Sequence, residues 1–220
     1  MEKTAKIISQ FLALPKVKLV SGMFSDALDK LGYRQQVITG LSNNNQFGKC
    51  FGCARTVQLE DIETADENIR TGLSFVEQLD KGQIIMVQAS HNYAYFGELM
   101  SRLAIRQNLE GVVIGGLTRD TSFTFSLDNL SIFAAGYSPI DIKGRGRVKA
   151  VDVPIIINKI DILPHNLIFA DNDGIIVIPN QALADLYPMI VSSLADEADI
   201  IKRIDNHASI EEILDSYKEF

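Results

Sequence analysis

The hydrophobic pattern in the middle of the chain predicts a strand–helix–strand unit. A continuous apolar run over Ile84–Gln88 indicates a buried strand, and a second run over Val112–Ile114 indicates another. Between them, Gly97–Asn108 has the spacing of an amphipathic helix, which Gly111 ends. Gly115–Gly116 is expected to end the second strand. The helix residues expected to face inward are Leu99, Met100, Leu103 and Ala104.

Two helices are predicted before this unit. Apolar residues at helical spacing run from about Thr4 to Leu14 and indicate the first helix. The second is expected over Phe24–Leu31, where Ser21 or Ser25 can cap the start and Gly32 supplies a left-handed stop. Strand-like and helix-like segments then alternate, which is typical of an α/β protein.

The second half of the chain is predicted to be rich in strands and to end in two helices. The expected strands are Ile132–Ala135, Val153–Ile157, Leu167–Ala170 and Ile175–Ile178, and the expected helices are Gln181–Asp205 and Ser209–Phe220. No repeat, linker or low-complexity tract divides the chain. One domain over residues 1–220 is therefore expected, with the N-terminal helix 4–14 and the C-terminal helices 181–220 packing on it or on neighbouring subunits.

Composition narrows the classes of protein. The chain has 220 residues and a net charge of -7, with basic and acidic residues mixed along its length. This distribution does not suit a phosphate backbone, so direct nucleic-acid binding is not expected. No apolar stretch approaches the roughly 20 residues of a membrane span. The N-terminus shows no apolar signal core, which favours a cytoplasmic protein.

Two short motifs have a structural interpretation as well as a chemical one. Cys50 and Cys53 have the spacing of redox and zinc motifs, but zinc needs further ligands and the pair leads into a strand-like run, Ala54–Leu59. Two buried, weakly polar side chains are the favoured interpretation. The basic segment Lys143–Arg147 can hold an anion as a flexible loop, although a solvated loop is favoured.

The loop before the central helix is the first candidate site. It joins the carboxyl end of one predicted strand to the start of a helix, where open α/β folds bind ligands. The backbone N–H groups of Leu99 and Met100 fall in the first helical turn, and Gly97 lets an anion approach them closely. A carboxylate is the expected ligand.

The next predicted strand leads to Arg119–Asp120, which parallel pairing should place beside this loop. Arg119 can bind the same carboxylate through paired N–H donors. Asp120 is a hard oxygen ligand for Mg²⁺ or Mn²⁺, and Glu98 can orient a water on that ion. The structural alternative is a surface ion pair, or a turn in which Asp120 caps the following helix. The glycine-led helix start, the double glycine after a buried strand and the Arg-Asp pair are all predicted at one edge of the fold, and this favours the functional interpretation.

With Gly97-Glu98-Leu99-Met100 followed by Arg119–Asp120, and twenty residues between Glu98 and Arg119, the sequence resembles the RraA-like family. That family includes class II 4-hydroxy-4-methyl-2-oxoglutarate aldolases and ribonuclease regulators. Further matches are Ser25–Leu28, Gly111–Ile114, Ser138–Pro139, Gly144–Arg147 and Ala170–Gly174, so that the resemblance covers roughly residues 20–180.

The resemblance implies a swivelling β/β/α domain with a mixed, largely parallel central sheet. It also implies a homotrimer or hexamer with sites at subunit boundaries. Carried over residue by residue, the family's roles assign binding of the pyruvate carboxylate to Arg119 and to the amides of Leu99 and Met100. They assign binding of the metal to Asp120. Asp26 matches an acidic position that can reach the neighbouring subunit's site.

Two positions depart from the family pattern. Glu98 stands where the family usually has Asp, and Phe123 stands where the aldolases commonly have a second acid. The regulators also lack that acid. His91, in the loop before the helix, is a candidate proton carrier, although a structural or solvent-facing role is the favoured interpretation.

The sequence supports two hypotheses about function. The leading hypothesis is a divalent-metal-dependent lyase that acts on a 2-oxo acid through a pyruvate enolate, by retro-aldol cleavage or by decarboxylation of oxaloacetate. Its predicted catalytic residues are Arg119, Glu98 and Asp26, and Gly97, Glu98, Leu99, Met100 and Arg119 are predicted to bind the substrate. The alternative is a non-catalytic regulator that binds a ribonuclease or another protein.

Overall fold

The computed structural model describes residues 2–63 and 69–217. The chain forms two compact units, Gln35–Asn180 and the combination of Met1–Arg34 with Gln181–Phe220. We refer to them as the sheet unit and the helical unit. The expectation of one domain over residues 1–220, with the terminal helices packed on it or on neighbouring subunits, stays a prediction.

The helices are α1 (Glu2–Leu12), α2 (Ser21–Lys30), α3 (Ile69–Glu77), α4 (Glu98–Arg106), α5 (Thr121–Thr124), α6 (Leu183–Asp205) and α7 (Ile210–Ser216). The strands are β1 (Val37–Ile38), β2 (Ser42–Asn43), β3 (Cys50–Asp61), β4 (Gln83–Gln88), β5 (Ala94–Phe96), β6 (Gly111–Thr118), β7 (Ser131–Tyr137), β8 (Gly146–Val151), β9 (Ile155–Ile157), β10 (Ile160–Ile162), β11 (Leu167–Ala170) and β12 (Ile175–Ile178). None of the described helices is both long enough and apolar enough to span a membrane.

The sheet unit is built on a mixed sheet in the order β1-β12-β11-β3-β4-β6-β7-β2. Its central strands β3, β4, β6 and β7 are parallel, and β5 also pairs with β6 in parallel. The flanking strands, including β11, β12 and β2, pair antiparallel. The predicted mixed α/β architecture is confirmed.

The central strands are buried on both faces, which explains their continuous apolar runs. In β4, Ile85 and Val87 belong to one core cluster, while Ile84 and Met86 belong to a different one. The alternation is a consequence of strand geometry, in which successive side chains project to opposite faces.

The prediction that Gly115–Gly116 ends a strand was wrong, because β6 continues to Thr118. A Cβ on Gly116 would lie 2.4 Å from the carbonyl oxygen of Ser90, and a Cβ on Gly115 would lie 3.1 Å from Ile157. These glycines therefore permit β9 and the segment after β4 to pack closely against β6, and they do not form a turn.

The predicted basic loop is shorter than the sequence suggested. Gly146 and Arg147 open β8, which pairs antiparallel with β3. Arg147 Nε donates to Glu60 Oε1 at 2.7 Å across this pair. The strand alternates between inward and outward side chains, and its polar composition obscured it in the sequence.

The helical unit follows the predicted pattern with shifted ends. Helix α1 ends two residues earlier than expected, and α2 begins at Ser21 without a side-chain cap, so the predicted serine cap was wrong. Gly32 has the left-handed φ of +86° expected of a helix stop. Ser209 forms a capping box with Glu212 at the start of α7. The predicted end of that helix was too late, because α7 ends at Ser216 and Tyr217 is extended; residues 218–220 lie outside the described residues.

Candidate functional site

The candidate site lies where β5 and β6 end side by side. Phe96 pairs with Thr118 across these parallel strands, and the Arg119 amide donates to the Phe96 carbonyl at 2.9 Å. Gly97 is the N-cap residue of α4, and Asp120 precedes α5. The structure therefore brings together the segment that begins at Gly97 and the segment that contains Arg119 and Asp120.

Asp120 is bound to the start of α4. Its Oδ2 accepts a hydrogen bond from the Glu98 amide at 2.9 Å, so one orphan donor of the helix is satisfied by a carboxylate from another element. The contact depends on the missing side chain at Gly97, because a Cβ there would lie 2.3 Å from Asp120 Oδ2. Asp120 makes no side-chain cap to α5, so the structural alternative of a capping aspartate was wrong.

Arg119 lies between two carboxylates. Its Nη1 contacts Asp141 Oδ2 at 3.1 Å, and its Nε lies 3.7 Å from Asp120 Oδ2. A guanidinium has five N–H donors, so these contacts leave donors for a ligand carboxylate. Asp141 was missed in the sequence, where its only signal was its position shortly after Ser138–Pro139.

Glu98 is held by its own helix. Arg102, one turn later, approaches Glu98 Oε1 at 2.7 Å and 2.8 Å through Nη2 and Nε. The Arg102 guanidinium also lies over the Phe123 ring, 4.4 Å from its centroid. At the position where the family aldolases commonly have a second acid, this chain has an aromatic ring that supports the arginine partner of Glu98.

A cavity of about 180 Å³ opens beside these residues. It is smaller than the roughly 300–1,000 Å³ of drug-sized pockets and suits a small metabolite. Its lining comprises Gly72, Leu73, Tyr95, Gly97, Leu99, Met100, Arg119, Asp120, Asp141, Ile142, Lys143, Gly146, Arg147 and Val148. Tyr95 is a second residue that the sequence analysis missed, its only signal being its place two residues before Gly97.

Other predicted site residues have different environments. Met100 is buried, whereas Leu99 is 62% exposed, so the prediction that Leu99 faces inward was wrong. Leu99 nevertheless lines the cavity from the first turn of α4. Asp26 is an exposed residue of α2 in the helical unit, and His91 is exposed in the loop before β5. The roles predicted for Asp26 and His91 stay predictions.

Asp120 is the carboxylate best placed to hold a divalent cation. Its side chain is 42% exposed, and it lines the cavity together with Asp141. Within residues 2–63 and 69–217, no three His, Cys, Asp or Glu side chains form a metal-binding cluster. Mg²⁺ commonly keeps several waters and takes only one or two protein carboxylates. The donor set therefore fits a hydrated ion of this kind with Asp120 as its protein ligand.

Comparison with known proteins identifies the family of this chain. Residues 22–177 match the RraA-like family, described as Aldolase/RraA. The chain belongs to this family. A protein of Halalkalibacterium halodurans named "Putative 4-hydroxy-4-methyl-2-oxoglutarate aldolase" is 30% identical to the RraA-like chain over 174 residues, which are 78% of this chain and 76% of that one.

A second relative and two solved structures extend the comparison. Protein DlpA of Legionella pneumophila is 26% identical over 90% of the RraA-like chain, but the chain spans only 32% of DlpA. An uncharacterized protein from Pseudomonas syringae shares the fold with a TM-score of 0.81 and 25% identity, covering 95% of this chain and 96% of its own. Streptomyces coelicolor RraAS2, described as an unusual member of the RNase ES inhibitor RraA family, has a TM-score of 0.72 and 24% identity, with 84% and 91% coverage.

Proposed function

We propose that this RraA-like protein is a carbon–carbon lyase that binds a 2-oxo acid and cleaves it through a pyruvate enolate. The observation that carries the proposal is the joint placement of Arg119 and Asp120 against the N-terminus of α4, at the mouth of a small cavity. The aldolase names of relatives in the same family support it.

In this proposal Arg119 binds the carboxylate of the 2-oxo acid. Asp141 holds Nη1 of the guanidinium and thereby fixes its orientation, while the remaining N–H groups face the ligand. The amides of Leu99 and Met100 lie in the first helical turn and provide further donors for an anion. The space left by the missing side chain of Gly97 is filled by the Asp120 carboxylate, which lies beside this helix turn.

Asp120 is the proposed ligand of Mg²⁺ or Mn²⁺, with Oδ2 anchored by the Glu98 amide. When bound, such an ion would act as a Lewis acid toward the keto oxygen of the substrate. Both contacts of Arg102 to Glu98 use Oε1, so Oε2 is the oxygen that would orient a water. Asp26 is proposed to act from a neighbouring subunit in a homotrimer or hexamer.

The reaction is either retro-aldol release of pyruvate or decarboxylation of oxaloacetate. Decarboxylation is less demanding, since no hydroxyl group has to be deprotonated. The test incubates the purified protein with Mg²⁺ or Mn²⁺ and oxaloacetate or a 4-hydroxy-2-oxo acid, and measures pyruvate through lactate dehydrogenase.

We expect Asp120→Ala to lower turnover by at least about a hundredfold, as for loss of an electrostatic group at a reacting centre. The matched control is Asp128→Ala, which removes another exposed aspartate that does not line the cavity and should leave turnover unchanged. Absence of pyruvate release with either metal, or equal rates for Asp120→Ala and the intact protein, would contradict the proposal.

The second candidate is a regulator that binds a ribonuclease or another protein. Phe123 favours it, because the second acid common in the aldolases is absent. A melting-temperature increase with Mg²⁺ and pyruvate would favour the lyase, since only a ligand of the native state stabilises it. A stable protein partner recovered without metal-dependent turnover would favour the regulator.

A further inference from the structure

Glu98 begins beside the proposed metal ligand but does not line the cavity. The residues on both sides of it, Gly97 and Leu99, line that cavity, whereas Glu98 does not. The Glu98 amide nevertheless donates to Asp120 Oδ2 at 2.9 Å. The chain therefore carries a second carboxylate next to Asp120, and the side chain that bears it does not face the cavity.

Arg102 accounts for the position of this carboxylate. Both of its contacts to Glu98, through Nε at 2.8 Å and through Nη2 at 2.7 Å, use the same oxygen, Oε1. The two residues lie four positions apart on α4, so their side chains meet on one face of the helix. An exposed pair of this kind contributes little to stability, and its main consequence is for the charge and the position of Glu98.

Phe123 fixes the guanidinium of Arg102 from the other side. The guanidinium carbon lies 4.4 Å from the centroid of the Phe123 ring, and this ring packs against the hydrophobic core. The Phe123 amide donates to the Asp120 carbonyl at 2.9 Å. Glu98 and Phe123 are thus each hydrogen-bonded to Asp120 through their amides, and the Arg102 side chain connects the two.

A divalent cation at Asp120 attracts any second carboxylate within its reach. Mg²⁺ commonly takes one or two protein carboxylates, and the affinity of a carboxylate site for a divalent cation depends on the number of charged ligands. The flexible side chain of Glu98 starts beside Asp120 and is the nearest source of a second one. Arg102 opposes this approach, because it binds Oε1 and because its charge offsets that of the carboxylate.

We propose that Arg102 is a positioning residue that holds Glu98 away from the divalent metal, so that Asp120 coordinates the ion and Glu98 contacts it only through a water. The ring of Phe123 keeps the guanidinium in place. The arginine thereby lowers the affinity of the site for the metal. This inference rests on the proposed function, because it concerns the ion assigned there to Asp120.

The test measures binding of Mn²⁺ alone, without a 2-oxo acid, from the electron paramagnetic resonance signal of the free ion. It compares the intact protein with Arg102→Met, in which the apolar length of the side chain is kept and its charge is removed. The matched control is Arg106→Met. Arg106 lies one turn later on α4, pairs with Glu77 at 2.9 Å and has a side chain that is 60% exposed, against 61% for Arg102.

Arg102→Met should bind Mn²⁺ about fivefold or more tightly than the intact protein, because a carboxylate is released toward the ion. Arg106→Met should stay within about twofold, because its charge pair lies away from Asp120. A gain in affinity distinguishes the proposed role from a structural one, since general damage to the site would weaken binding. The melting temperature of each variant is measured to confirm that it folds.

The same pair of measurements in a Glu98→Gln background tests whether Arg102 acts through Glu98. No carboxylate can be released in that background, so the further change Arg102→Met should alter the Mn²⁺ affinity by less than about twofold. A gain that persists in full would overturn the positioning role, because the guanidinium would then act on the ion directly through its charge.

Unchanged or weaker Mn²⁺ binding by Arg102→Met would also overturn the inference, as would an equal gain in Arg106→Met. Asp120→Ala separates this inference from the proposed function. If Asp120→Ala abolishes Mn²⁺ binding while Arg102→Met leaves it unchanged, the proposed metal site stands and the role of Arg102 fails. If neither the intact protein nor Arg102→Met binds Mn²⁺, or if both bind it equally well without Asp120, both proposals fail.

Discussion

Replacing Gly97 with alanine is the most direct perturbation of the candidate site. The added methyl group would lie 2.3 Å from Asp120 Oδ2 and 2.9 Å from Arg119 Cγ, so both side chains have to move. Asp120 is 42% exposed and can rotate toward solvent, but it then loses the hydrogen bond from the Glu98 amide. The substitution therefore adds a steric cost to the loss of an anchoring contact.

Overpacking of this kind typically costs about 1–3 kcal/mol. For a chain of this length, each kcal/mol lowers the melting temperature by about 2–4 °C, so a decrease of about 2–12 °C is expected. Ligand binding should fall further, because the two displaced side chains are those proposed to hold the carboxylate and the metal. We expect at least about tenfold weaker binding of pyruvate with Mg²⁺, or about 1.4 kcal/mol.

The assay combines thermal melting with calorimetric titration of pyruvate. Gly22→Ala is the control, because a Cβ at this exposed position in α2 meets no atom within 4 Å. This variant should lose neither stability nor pyruvate affinity. The better helix propensity of alanine can raise its free energy of unfolding by up to about 1 kcal/mol.

A double-mutant cycle tests the cause. In an Asp120→Ala background the carboxylate is absent, so Gly97→Ala should destabilise the protein less than it does alone. An unchanged melting temperature and pyruvate affinity for Gly97→Ala, or an equal cost in both backgrounds, would refute the argument from close contact.

Three further predictions concern other parts of the sheet unit. Arg55 donates to both carboxylate oxygens of Asp152, which lowers the pKa of that carboxyl. Asp152→Asn should therefore lower the free energy of unfolding at pH 7 by about 1 kcal/mol, as measured by denaturant unfolding. The cost should be fully present above the ordinary aspartate pKa of about 4 and should vanish as the pH falls through the lower pKa of the folded protein. Burial raises the pKa of the Cys53 thiol, so iodoacetamide at pH 7 should label it far more slowly than the unfolded chain. Phe123→Leu should cost about 0.5–1 kcal/mol through loss of the ring beneath Arg102, as measured by thermal melting.

Each of these predictions has a contradicting result. A cost of Asp152→Asn that persists unchanged at pH 2 would show that the pairing with Arg55 is not its cause; asparagine tolerates the left-handed backbone there. Equal labelling rates in native and unfolded protein would contradict the shielding of this partly buried thiol. A coupling free energy near zero between Phe123→Leu and Arg102→Met in a double-mutant cycle would contradict the ring contact, because the cycle cancels the loss of the Arg102–Glu98 salt bridge.

The sequence was most informative where local pattern and tertiary structure agree. Strands β4, β11 and β12 and helix α4 were predicted nearly to their ends, because their apolar periodicity reflects burial directly. Gly115–Gly116 misled the prediction, since glycine signals either a turn or close packing and only the neighbouring chain decides between them. Strand β8 was missed because its polar side chains alternate on a partly exposed strand.

The candidate site was predictable in part for a similar reason. The helix start at Gly97 and the pair Arg119–Asp120 were predicted to follow neighbouring parallel strands, so parallel pairing predicted that they meet, although strand β5, which leads into Gly97, was not predicted. Asp141 and Tyr95 could not be selected in this way, because their importance lies in contacts with elements distant in sequence: a salt bridge to Arg119 and a cavity shared with Gly72.

The close contact between Gly97 and Asp120 also limits the order in which this site can change during evolution. A larger residue at position 97 is excluded as long as the carboxylate occupies that space, whereas a smaller residue at position 120 is accommodated at once. A lineage that loses Asp120 is then free to replace the glycine, but the reverse order passes through a destabilised intermediate. Retention of Gly97 after loss of Asp120 would therefore mark a recent departure from the ancestral site.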